Sequence, residues 1–230
     1  MPYSDRDRIR ESASADPLIL LGGAYLAFIA GYVNTVSLGY FHVPVSHMTG
    51  AITRLGMDTA ALNFHDFRNI FYIFFGFLVG ATVSGTIIGS NNLRPAREYL
   101  WILLLESAAL GLCFYLFRYG LNGGLFFAAL ACGLQNAMAS TYLGLIIRTT
   151  HMTGIVTDLG ILIGHALRHR HIRLWKISFL MLVLVGFFAG GVSAFLAFRM
   201  VRFTALLVPA GMCLAAAVGF YTLRVRKRFI

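Results

Sequence analysis

Apolar runs of helix length, separated by short polar or basic stretches, take up most of the chain. Eight can be marked: Leu18–Phe41, Met48–Phe64, Ile70–Gly89, Tyr99–Phe117, Leu121–Ile147, Met152–Leu167, Leu174–Phe198 and Phe203–Leu223. They do not alternate apolar with polar residues, and they are too long for barrel strands, so the pattern predicts helices. A helix needs about 20 residues to cross a bilayer, and six of the runs are long enough to do so alone. Met48–Phe64 and Met152–Leu167 are shorter and carry Arg54, Asp58 and Asp158. They are the odd pair.

Composition removes the soluble classes. Residues of the set AVILMFWYC make up 58% of the 230, charged residues only 12%, and the mean hydropathy is +0.75. Soluble domains carry about 25% charged residues. A globule of 25.3 kDa exposes too much of its chain to hide so much apolar surface. The expected class is an all-α integral membrane protein.

The formal charge of +10 would point a soluble protein toward nucleic acid. Its distribution points elsewhere. Arg6, Arg8 and Arg10 form one cluster; Arg168, Arg170, Arg173 and Lys176 a second; Arg224, Arg226, Lys227 and Arg228 a third. Each flanks an apolar run, as cytoplasmic loops of membrane proteins do. The expected partner is the lipid bilayer of the cell (inner) membrane, with both termini cytoplasmic and no nucleic acid. Residues 1–17 are polar, lack an apolar core of their own, and read as a cytoplasmic tail rather than a cleavable signal. His165, His169 and His171 sit in or beside a basic loop and are expected at lipid headgroups. Cys113, Cys132 and Cys213 lie inside apolar runs and are expected to be small buried hydrophobes.

The two short runs expose an internal repeat. His47-Met-Thr-Gly-Ala-Ile-Thr-Arg-Leu-Gly56 aligns without gaps to His151-Met-Thr-Gly-Ile-Val-Thr-Asp-Leu-Gly160, identical at seven of ten positions. Gly31-x-x-Asn34 precedes the first copy and Gly133-x-x-Asn136 the second. Gly76-x-x-x-Gly80 follows the first and Gly186-x-x-x-Gly190 the second. The chain is thus expected as two homologous four-segment repeats, 18–119 and 120–223, with tails at 1–17 and 224–230. A short interrupted helix stands second in each repeat. If all eight runs cross, the repeats are parallel; if the short ones re-enter without crossing, six spans remain and the repeats are inverted. The positive-inside rule fits both. Gly76/Gly80, Gly85/Gly89, Gly186/Gly190 and Gly211/Ala215/Gly219 read as small-residue packing ridges.

Chemistry concentrates at the odd pair. The stretch Ser37–His47 holds Gly39 and Pro44 and reads as extended chain leading into a helix, with Ser46 or Thr49 as N-cap. Such a break leaves unpaired N–H groups and a positive dipole end. In a membrane it persists only when buried in protein or lining a wet cavity, and matched breaks in two halves point to a substrate site. Candidate substrate-binding residues are Asn34, His47, Thr49, Gly50, Arg54, Gln135, Asn136, His151, Thr153 and Gly154. Thr-Gly could equally be a tight interhelical contact, and the amides could bridge helices rather than face a pathway. Glu106, alone among apolar residues, and Asp158 are proton-coupling candidates; Glu106 could also be a neutral acid bonded to a neighbour. Arg54 and Asp158 hold the same repeat position with opposite sign, so they are expected to neutralise each other.

On these residues the chain resembles the bacterial YoaK-like family, small multipass membrane proteins with a domain of unknown function. The likeness lies in Val45-Ser-His-Met-Thr-Gly-x-x-Thr-Arg-Leu-Gly56, in Gly133-Leu-Gln-Asn-Ala137 and in Thr150-x-x-Thr-Gly154, and extends over roughly Leu18 to Leu223. Ala51 stands where that family often has Asn, so one polar group is missing from the first copy. The resemblance brings no activity. The expectation is a transporter of a small polar or anionic solute with its site between the repeats. A passive channel and a non-transporting scaffold or sensor are the alternatives. No enzyme is expected, because no nucleophile–base pair can be read, and no metal or cofactor; a homodimer fits the sequence.

Overall fold

A computed structural model describes residues 17–89, 97–140, 149–168 and 174–226. The N-terminal tail with its arginines, Arg94, Arg148, the stretch from His169 to Arg173 and residues 227–230, all read as tails or loops, lie outside the described residues. Among the described residues every regular element is helical. In chain order these are α1 (Pro17–Phe41), α2 (Met48–Ala60), α3 (Phe64–Ile88), α4 (Arg97–Arg118), α5 (Gly124–Ser140), α6 (Met152–Leu167), α7 (Leu174–Val201) and α8 (Leu207–Arg226). A 3-10 turn, Arg202–Leu206, separates the last two.

Four helical stretches are long and apolar enough to cross a membrane: Leu20–Phe41, Phe64–Ile88, Arg97–Arg118 and Trp175–Thr222. The last contains both α7 and α8, broken where Arg202 takes a left-handed φ of 54°. The chain is therefore a helical, membrane-like protein. One sequence expectation is corrected at α1, which stays helical through Ser37–Phe41 instead of becoming extended. The Phe198 ring packs directly on Gly39. The helix ends where His42 turns left-handed, with φ of 57°.

Cross-contacts give the helix directions. Along α1 and α7, Gly23 meets Val183, Gly31 meets Phe187 and Gly39 meets Phe198, so the two run parallel. Gly76 meets Phe126 and Gly80 meets Leu130, so α3 and α5 also run parallel. The α4–α8 pair is antiparallel, with Tyr99 stacked on Phe220 and Phe114 against Phe203 in the 3-10 turn that leads into α8. The α1–α8 pair is antiparallel too, with Tyr25 at Met212 and Tyr40 at Phe203. The turn at 119–123 reverses the chain from α4 into α5, its Gly120 at φ 70°. Hence α1, α4 and α7 point one way, and α3, α5 and α8 the other.

The closest crossings depend on absent side chains. A Cβ at Gly31 would collide with the carbonyl oxygen of Phe187, and one at Gly133 with that of Phe77. Gly76 and Gly80 face the carbonyls of Phe126 and Leu130; Gly186 and Gly190 face those of Ala24 and Phe28. In lipid, where water exclusion does not drive helices together, such backbone approach is a main source of association. Gly85, Gly89, Gly211 and Gly219 meet nothing within 4 Å, so their expected role as packing ridges is corrected: the same spacing here faces outward.

Candidate functional site

The first short helix begins below the end of α1, not beyond it. Residues 42–47 fold back along α1, and Asn34 catches them. Its Oδ1 accepts from the Ser46 backbone N–H at 3.2 Å and from the Ser46 hydroxyl at 3.0 Å. The second half repeats this. Asn136 Oδ1 accepts from the Thr150 N–H at 3.2 Å and from the Thr149 hydroxyl at 3.3 Å, while its Nδ2 donates to Thr150 Oγ1 at 2.6 Å. Both amides are therefore bridging groups, and both also line the cavity described next.

Each short helix starts after a histidine, not at the expected Ser46 or Thr49 cap. His47 has φ −96° and ψ 76°, His151 φ −89° and ψ 61°, and neither makes a side-chain cap hydrogen bond. The first helical bonds are Ala51 N–H to His47 O at 3.0 Å and Ile155 N–H to His151 O at 3.1 Å. The N–H groups of Met48, Thr49 and Gly50, and of Met152, Thr153 and Gly154, precede those bonds and have no intrahelical acceptor. Gly50 and Gly154 have a definite task here. A Cβ on either would strike the ring of its own N-cap histidine, so the glycines make room for the rings rather than for a solute.

Both helix starts open on one cavity of about 660 Å³. Its wall includes Asn34, His47 and Thr49 from the first half and Asn136, His151 and Thr153 from the second. Ser46, Ser140 and Thr150 add polar groups, and Phe77 and Phe187 add one aromatic ring from each half. No Asp, Glu, Lys or Arg is among its lining residues. The sequence reading missed the two phenylalanines. Each directly follows the first glycine of a matched pair, Gly76 or Gly186, and that shared Gly-Phe step was the available signal.

Gly50 and Gly154 are not among the lining residues, and four more candidates lie farther off. Gln135 is 1% exposed, and its Nε2 donates to the Leu26 carbonyl at 2.7 Å and to Thr149 Oγ1 at 2.8 Å. It ties α5 to α1 and does not line the cavity. Glu106 is buried between α4 and α8, away from the cavity. Arg54 and Asp158 are exposed, and the expected pair between them is not made: among the described residues no Lys or Arg pairs with an Asp or Glu, and the acid–base contact present is a hydrogen bond between His65 and Asp66 at 3.2 Å. The carboxylate that feels the charge of Arg54 is Asp66 of α3. The reason is geometric. From the shared cavity α2 leads to the start of α3 and α6 to the start of α7, and those two helices run in opposite directions. Equivalent positions well into α2 and α6 are thereby driven apart, and the two helices make no packing contact.

An uncapped helix N-terminus presents unpaired N–H donors and the equivalent of roughly half a positive charge. Two of them open on one cavity whose lining holds no Asp, Glu, Lys or Arg, and they turn positive, donor-rich ends toward it. Among the described residues no group of His, Cys, Asp and Glu has the arrangement of a metal site. Comparison with curated proteins finds no match, and comparison with solved structures finds none. One family does match, over residues 22–219: the chain belongs to DUF1275, a family of proteins of unknown function.

Proposed function

We propose that this protein is a membrane transporter built from two inverted repeats, with a site for a small monoanion at the cavity between them. The observation that carries it is the convergence of two uncapped helix starts, one from each half, on a single cavity. Two half-charges sum to about one, which one negative charge on a formate-, acetate- or nitrate-sized solute would balance. The Asn34 amide and the Thr49 and Thr153 hydroxyls add polar groups. The narrower YoaK-like placement within the family belongs to the same proposal and rests on the Val45–Gly56 motif.

Inversion is supported by recurrence of each close contact. Gly31 on Phe187 mirrors Gly133 on Phe77, and Gly186 on Ala24 mirrors Gly76 on Phe126. The long helices reverse direction at every step, with α2 and α6 leaving the alternation unchanged, which supports six spans. On this reading a topology reporter inserted at His65–Arg68 is expected outside the cell and reporters at both termini inside. A cytoplasmic signal at His65–Arg68 would restore the eight-span parallel arrangement.

The site is tested by thermal unfolding of the purified protein in sodium formate, acetate or nitrate, against sodium sulfate at equal ionic strength. A ligand that binds only the folded state at 100 times its Kd stabilises by about 2.7 kcal/mol. Saturable stabilisation by one or more monoanions, and not by the dianion, is expected. Equal effects of all four salts would favour a scaffold whose cavity is packing geometry.

A further inference from the structure

Away from the cavity, three polar side chains grip one turn of α8. Tyr25 of α1 donates to the Met212 carbonyl at 2.9 Å, and Ser107 of α4 donates to the Ala210 carbonyl at 2.9 Å. Between them Glu106 of α4, 1% exposed, has the Cys213 thiol as hydrogen-bond partner, and its Oε2 has none. The ionisable side chains that reach Glu106 are Tyr25 on α1, Cys132 on α5 and Cys213 on α8. Among the described residues α3 and the 3-10 turn bring none, and no Lys, Arg or His balances the carboxyl.

As a neutral acid, Glu106 leaves one weakly unsatisfied oxygen in a dry seam. As a carboxylate it would be an unpaired charge among apolar helices, which is far more costly. Relief would come only from water, and Cys213 at 0% exposure leaves no room for water while α4 and α8 remain in contact. We propose that Glu106 is a proton-binding site that keeps α4 against α8 while protonated, and that release of its proton to entering water parts the two helices. Cys132 lies one helical turn from Gln135 and Asn136, so movement of the seam is passed to the helix that carries the cavity's second amide. The seam stands without the transport reading.

The test is amide hydrogen exchange of the full-length protein in lipid nanodiscs from about pH 5 to about pH 9, wild type beside Glu106→Gln. The chemical exchange rate is common to both proteins and cancels in their ratio. At the acid end the two should agree. At the alkaline end, peptides of α4 and α8 should exchange about tenfold faster in wild type, with α3 equal in both. Glu106→Asp should restore the pH dependence. If Glu106→Gln does not fold, wild type alone decides: seam exchange divided by that of α3 in the same sample must rise with pH. A flat ratio, or a rise that Glu106→Gln shares, overturns the proposal. Neither outcome involves a transported solute, so failure here leaves the anion site standing, and loss of the anion site leaves this seam standing.

Discussion

Valine in place of Gly133 is expected to leave little folded protein in the membrane, and Gly31→Val to do the same. A Cβ at position 133 runs into the carbonyl oxygen of Phe77, and one at 31 into that of Phe187. These obstacles are backbone, so they cannot turn aside as a side chain does. Ordinary overpacking costs about 1–3 kcal/mol, against a total stability of about 5–15 kcal/mol for a typical domain. Two branched carbons forced against a backbone carbonyl belong at or above the top of that range. Gly85→Val and Gly219→Val are the matched controls, because a Cβ at either site meets nothing within 4 Å. They should accumulate like wild type. The measurement is the monodisperse yield of fluorescent fusions on size-exclusion chromatography after detergent extraction. Equal profiles for Gly133→Val and Gly85→Val would sink the close-crossing account.

The contrast between those glycines also marks where sequence reading stops. Gly76-x-x-x-Gly80 and Gly211-x-x-x-Ala215 share one spacing, yet the first lies under a neighbouring backbone and the second faces outward. In water the apolar face of a helix reveals the core. In lipid the outward face is as apolar as the inward one, so periodicity no longer says which faces meet. Helix positions were legible for the complementary reason, that the bilayer demands long apolar runs. Met152–Leu167 is the helix α6 to the residue, and Tyr99–Phe117 falls within α4. The meeting of His47 with His151 at one cavity was legible through the repeat alone. Glu106 was recognisable as an isolated acid, but its neighbour Cys213 lies 107 positions away along the chain, and no local pattern links them. The Arg54–Asp158 expectation failed because matched sequence positions imply matched environments, not proximity.

Asn34→Asp is expected to keep the fold and abolish anion binding. Within the protein Asn34 uses only its oxygen, accepting from the Ser46 N–H and hydroxyl, and a carboxylate accepts the same two bonds. The returning chain stays tied to α1. What changes is the charge of the cavity wall. Two unit charges about 6 Å apart, at an effective dielectric near 20, repel by roughly 3 kcal/mol, which is about a hundredfold in affinity. The new carboxylate also takes up the positive field of the two helix starts that a bound monoanion would otherwise occupy. Asn136 is the equivalent position in the second half. Its Nδ2 donates to Thr150 Oγ1, and in Asn136→Asp the Thr150 hydroxyl can turn and donate to the new carboxylate, so this bond is reversed rather than lost. That variant should likewise keep the fold and lose binding. The measurement is the melting temperature of each purified variant with and without the monoanion that stabilises wild type. An Asn34→Asp protein that melts like wild type and still gains the full anion shift would show that the solute does not sit between these two helix starts.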